Sequence, residues 1–295
     1  DDGSGGVVSD SVEIDIVDPS DPISNTPMSS LAIDVNISIE DGLRAMYLSQ
    51  QSNGRWTHGS YAGRDAAVTG FTVWAFANSG HLPTNNNDDD IYAEFVQKGV
   101  DYILSNASTM TPPTPLTGTV AHLGATGADG DGNGRMINLT PIGGSHSNPE
   151  GYSAPIAAIG IMAAYSDAPN TIISSGAFTG ESYFRVIQDA MDWIAYAQDD
   201  GTDYKRGGWM YAANGGADTS VDSWHYAAME AFEAAFGGTV LEDVKLEAEF
   251  RINSSQSQGG IGDFGQFGYF TGANNWYDAN ATTAGGLSGL AMVTF

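Results

Sequence analysis

Cysteine is absent and basic side chains are scarce. A chain without cysteine has no disulfide, no Fe–S cluster, no thiolate zinc site and no cysteine nucleophile. Ten Lys and Arg stand against 36 Asp and Glu, a net charge of −26 over 295 residues. A surface that acidic repels phosphate backbones and anionic bilayers, so nucleic acid is not an expected partner. No apolar run is long enough to span a membrane; the longest, around residues 154–164, reads as a buried helix. A P-loop is missing, as are a G-x-S-x-G elbow and an H-E-x-x-H pair, and the lone G-x-G-x-x-G string, residues 260–265, falls between two helical patterns rather than between a strand and a helix. Nucleotide and flavin cofactors are therefore not expected.

What is abundant is glycine, 38 of 295 residues, against about 7% in ordinary usage. That frequency predicts long, glycine-punctuated loops. The chain opens on Asp1, and five N-x-S/T sequons occur, at Asn36, Asn106, Asn138, Asn253 and Asn280. With the acidic, cysteine-free composition these features lead to the expectation of an extracellular or cell-surface glycoprotein whose signal peptide has been removed.

Residues 1–38 stand apart as an acidic, extended segment. Residues 1–43 hold ten acids and no base, the first base being Arg44. Val12, Ile14 and Ile16 alternate with Glu13 and Asp15, and Ile33, Val35, Ile37 and Ile39 alternate in the same way, so two short strands are expected. Two strands bury little by themselves. Their open edges predict self-association through this segment, with pairing of the two strands on each other as the alternative.

From residue 39 to 295 the pattern turns helical, with Ser38-x-x-Asp41 as a capping box at the start. One unit then recurs four times: an amphipathic helix, a glycine turn carrying one large apolar residue, a loop, and a small-residue-rich apolar helix. The turns present Trp56, Met136, Trp209 and Ile261. Each first helix carries an apolar residue four before an amide or hydroxyl, as in Tyr47/Gln51, Tyr102/Asn106, Ile194/Gln198 and Phe250/Ser254. First helices polar on one face and second helices apolar nearly all round are what outer and inner layers require.

Gln51…Gly54-Arg55-Trp56, Gln198…Gly208-Trp209 and the inner-helix openings AVTGF, GYSAP and DTSVDSW resemble the repeat of the prenyltransferase and squalene-cyclase superfamily. The resemblance implies an all-α fold, an α/α toroid of about four helical hairpins, full or partial, following the extended N-terminal segment. It also implies where chemistry would sit. Squalene-type cyclases use a D-x-D-D motif at the start of an inner helix, and the positional match here, residues 218–222, has Asp218 and Asp222 without the paired central acids. The zinc site of protein prenyltransferases needs a cysteine that this chain does not have.

Three groups of residues are candidates for chemistry. Asp218, Asp222 and His225 open the third inner helix, with Asp222 and His225 on one face at i and i+3. Trp209, Tyr211, Trp224 and Tyr226 surround them as possible ligand contacts. An acid, a histidine and aromatics at a ring mouth suit a sugar or acid–base catalysis; alternatively Asp218 caps the helix, Asp222 favours its positive end and His225 packs in the core. Asp129, Asp131 and Asn133 match positions 1, 3 and 5 of a calcium loop, with Gly134 at position 6 and Thr140 where the bidentate Glu would stand. Calcium is thus the one cofactor suggested. The expectation is a structural or assembly module, leaning away from an enzyme. Binding of a glycan or small ligand, or a terpenoid-cyclase-like or polysaccharide-lyase-like activity, remains as the alternative.

Overall fold

The computed structural model describes residues 30–57, 59, 62–112, 127–140, 149–257, 265–270 and 279–294. It is mostly helical: α1 (Ser30–Ser49), α2 (Asp65–Asn78), α3 (Ala93–Ser105), α4 (Glu150–Ala164), α5 (Tyr183–Ala197), α6 (Thr219–Ala234), α7 (Glu242–Ser255) and α8 (Ala279–Thr294). Two three-residue strands, β1 (Ser108–Met110) and β2 (Met136–Asn138), pair antiparallel with Thr109 opposite Ile137. Among the described residues no helix is long and apolar enough to cross a membrane.

The chain divides into residues 1–45 and 46–295. The expected strand over Val12, Ile14 and Ile16 lies outside the described residues. The second one is corrected: Ile33, Val35, Ile37 and Ile39 lie inside α1. A period-2 alternation wound at 100° per residue puts Ile33 and Ile37 on one side and Val35 and Ile39 on the other, and all four side chains are about half exposed. Ser38 accordingly caps nothing. Its hydroxyl donates to the Asp34 carbonyl one turn back, at 2.7 Å.

In residues 46–295 the apolar helices pack in chain order, α2 on α4, α4 on α6 and α6 on α8, while α3 lies on α2, α5 on α4 and α7 on α8. Small residues set the closeness of these contacts. A Cβ at Gly70 would stand 2.7 Å from the Ile156 carbonyl oxygen, and one at Gly160 would stand 2.6 Å from the Gly70 carbonyl. The α2 and α4 backbones therefore cross in direct contact. Gly289 of α8 meets the Tyr226 ring in the same way, at 2.7 Å.

The first and third turns are fastened by matching bonds. Trp56 and Trp209 are both buried. The Trp56 Nε1–H donates to the Met46 carbonyl at 2.7 Å, and that of Trp209 to the Ile194 carbonyl at 2.9 Å. Gln198 Nε2 donates to Gly207 and Val244 carbonyls, reaching from its own turn to the first turn of α7. The counterpart is Gln50, not Gln51: its Nε2 donates to the Gly54 and Phe95 carbonyls, while Gln51 is exposed and its side-chain amide donates to the nearby Ser49 carbonyl. Asn106 bonds back to the Tyr102 carbonyl within α3 and makes no such bridge. Asn138 is 1% exposed, its amide held by Glu150, so this sequon is closed to glycosylation in the folded chain.

Candidate functional site

The turn bonds explain what stands at the mouth of α6. Thirteen residues after each buried tryptophan, an oxygen accepts that tryptophan's backbone N–H: Thr69 Oγ1 for Trp56 at 3.0 Å, Asp222 Oδ1 for Trp209 at 2.6 Å. Asp222 Oδ2 takes the Arg251 Nε–H at 2.8 Å, and both side chains are buried. Burial pushes the Asp222 carboxyl up to about 6 against the pull of Arg251. Asp218 is the N-cap, its side chain accepting from the Val221 N–H at 2.9 Å and the Ser220 hydroxyl at 2.6 Å; burial raises its carboxyl as well. His225 lies flat on Trp209, ring centroids 4.6 Å apart. Its Nδ1 faces the Val221 carbonyl at 3.1 Å and must carry the proton there, since a carbonyl only accepts. Desolvation lowers the imidazole to about 3, so the ring is neutral at physiological pH.

The three candidate catalytic groups thus share one helix end, where one caps, one pairs with Arg251 and one stacks, while Asp218 Oδ2 and His225 Nε2 are buried without a hydrogen-bond partner. Tyr226 packs edge-on against Trp209, and burial raises its phenol well above the usual range. Trp224 points elsewhere, edge-on to Phe71 of α2 at 5.0 Å. Tyr211 stacks with Tyr152 at 5.7 Å.

Tyr211 and Tyr152 lead to the open space. A pocket of about 260 Å³ lies between the N-terminal ends of α2 and α4, lined by Val68, Phe71, Ile156, Tyr152, Ser153 and Tyr211 among others, with Arg64 at its wall. The Tyr152 hydroxyl bonds Ser220, which bonds Asp218, so a hydrogen-bonded chain runs from the pocket wall to the α6 cap. Burial raises the Tyr152 phenol. Ser153 is fully buried, and its Oγ has no hydrogen-bond partner. A second cavity, about 420 Å³, opens between the other ends of α2, α4 and α6 beside Trp74 and Glu230.

The calcium-like loop has a different surrounding from the one its spacing suggests. Asp129 and Asp131 are joined by Asp192 of α5, one carboxylate oxygen of each lying within 4.8 Å of the other two. Asn133 is hydrogen-bonded both within the loop and to α5. Its amide donates to Asp131 Oδ2 and Asp189 Oδ1, and its Oδ1 accepts the Arg135 N–H. Thr140, in place of the bidentate Glu, is buried, and its hydroxyl donates to Asn138 Oδ1. Desolvation and the neighbouring carboxylates push Asp192 up to about 7. Arg135 is held by Glu181 and Asp189, an arrangement that lowers the Glu181 carboxyl.

Sequence reasoning missed Asp192, Arg251 and Ser153. Each belongs to a helix that carries its own regular pattern, and only the packing of α5, α7 and α4 brings them to these places. No family model, curated protein or solved structure matches the chain.

Proposed function

We propose that the chain is a binding module of the α/α toroid kind, secreted or borne on a cell surface, that takes a small, largely apolar ligand between the N-terminal ends of α2 and α4. The observation that carries this reading is the pocket wall: Val68, Phe71 and Ile156 supply apolar surface, and the buried Ser153 hydroxyl offers a hydrogen bond that nothing in the protein takes. Concave, mainly apolar pockets with a few convergent polar groups are the usual form of small-molecule sites, and about 260 Å³ falls just below their ~300–1,000 Å³ range, which suits a small ligand. Asp218, Asp222 and His225 serve the helix end on this reading, and a glycan remains a ligand class because Tyr152 and Tyr211 offer ring faces.

The test is titration calorimetry with phenol, benzoate and cellobiose as probes of aromatic, anionic and sugar ligands. Saturable binding of one probe class, abolished by Val68→Trp, which fills the pocket, supports the reading. Absence of saturable binding by all three, or binding unchanged in Val68→Trp, overturns it.

A second reading, self-assembly, is favoured by the half-exposed Ile33, Val35, Ile37 and Ile39 of α1. Helix faces of this kind are covered in assemblies by a partner's apolar surface. It expects wild-type protein to exceed the 30.9 kDa monomer in light scattering, and Ile33→Ser with Ile37→Ser to restore monomer. A wild-type monomer at 100 μM contradicts it.

A further inference from the structure

We propose that Asp129, Asp131 and Asp192 form a calcium site that ties the loop over residues 127–134 to helix α5. Asp129 and Asp131 come from the loop and Asp192 from α5, so a shared cation bridges segments more than sixty residues apart in sequence. Their oxygens lie within 4.8 Å of one another. Two oxygens on one calcium ion at about 2.3–2.6 Å cannot stand much farther apart than twice that length, and the cluster meets the limit.

The independent sign of a ligand is Asp192 itself. It is 1% exposed, and its Oδ1 accepts the Gly130 N–H at 2.9 Å while its Oδ2 is buried with no hydrogen-bond partner. Among the described residues no basic side chain pairs with any of the three acids, because the adjacent Arg135 is held by Glu181 and Asp189. A buried carboxylate oxygen beside two further carboxylates is relieved by a proton or by a cation, and three carboxylates within reach of one ion favour the cation.

The loop is shaped to present its oxygens. Asp129 accepts backbone N–H groups from Asn133 and Gly134, and Asp131 accepts the Asn133 N–H and side-chain amide. Each of those oxygens retains a lone pair for a metal. Asn133 is therefore a positioning residue, and its amide also reaches Asp189 on α5. Gly130 lets the loop backbone approach α5, since a Cβ there would stand 3.1 Å from Asp192 Oδ1. Three clustered carboxylates with room for backbone oxygens and water suit calcium. Magnesium favours one or two carboxylates and several waters.

The experiment strips the protein with EDTA and titrates calcium chloride alone in 0.15 M NaCl, where diffuse attraction to the acidic surface is screened. Heat of binding and melting temperature are both followed. Wild type is expected to bind one calcium saturably, with a rise in melting temperature. Asp192→Ala and Asp131→Asn should each weaken binding at least tenfold, while Asp88→Asn with Asp89→Asn, an exposed pair elsewhere, should leave it unchanged. Asp131 is exposed, so that variant keeps the test valid should Asp192→Ala fail to fold. Wild type without saturable binding, affinity retained in Asp131→Asn, or an equal loss in the Asp88/Asp89 variant overturns the proposal. Magnesium binding as tight as calcium overturns the choice of ion.

Discussion

Asp222 shows most clearly what single residues do in this molecule. It holds the Trp209 N–H on one oxygen and Arg251 on the other, and Arg251 also donates to Thr219 Oγ1 and to the Tyr269 carbonyl. Removing one member of a buried ion pair leaves the other charged and unpaired, at a cost of about 3–5 kcal/mol. Asp222→Ala is expected to lose that much in urea unfolding, and the paired change Asp222→Leu with Arg251→Met to recover most of it. Equal losses in the single and paired variants would show that the pair is not the source. His225 makes a pH prediction. Its folded pKa is depressed, to about 3 from the ordinary 6.5, so the unfolded chain takes up a proton that the folded chain refuses. The stability from keeping this ring neutral is full above pH 6.5 and lost as pH falls toward 3, with a slope approaching ~1.4 kcal/mol per unit. Wild type should therefore weaken relative to His225→Phe between pH 7 and pH 4, a comparison in which the many carboxylates cancel. Parallel curves for the two proteins would contradict the assignment.

At the scale of elements, the helix crossings rest on missing side chains. Gly70→Ala drives a methyl into the α4 backbone, where neither side can yield, and overpacking of this kind costs about 1–3 kcal/mol. Gly42 lies in α1 with open space around it, and Gly42→Ala should instead be neutral or stabilising by up to ~1 kcal/mol. The melting temperature of Gly70→Ala should fall while that of Gly42→Ala holds or rises; a Gly70→Ala melt that does not fall would mean that the crossing is looser than the contacts imply. The helices α2 to α8 were legible because their apolar periodicity and glycine stops agree with one another. The register of the turn amide was not: Gln50 and Gln51 are adjacent and identical, and only the distance to the Phe95 carbonyl separates them. The segment at 33–39 misled because strict alternation of apolar and polar residues is also compatible with a helix that has no buried face. Asp218 as a cap was readable from its place before the helix, whereas its neighbour's buried partner, Arg251, lies on another helix and left no local sign.

For the whole molecule, a charge of −26 makes the folded state repel itself, and screening relieves that repulsion. The melting temperature should rise between 0.02 and 0.5 M NaCl, more steeply than for a variant with several exposed Asp→Asn changes; a flat response would show that the acids are already locally compensated. Within residues 46–295, the acids divide by environment. Asp88 and Asp89 are exposed, Asp218 and Asp222 are built into a helix end, and Asp129, Asp131 and Asp192 gather without a cation from the protein. The pocket between α2 and α4 is joined to the helix end of α6 by the Tyr152 hydroxyl, which bonds Ser220. The most direct measurement is a crystallographic soak with phenol, benzoate and cellobiose, read as density in the pocket. The account predicts density between α2 and α4, against Val68, Phe71 and Ile156. Density confined to the opposite cavity beside Trp74, or no density at saturating concentration, would contradict the proposed site.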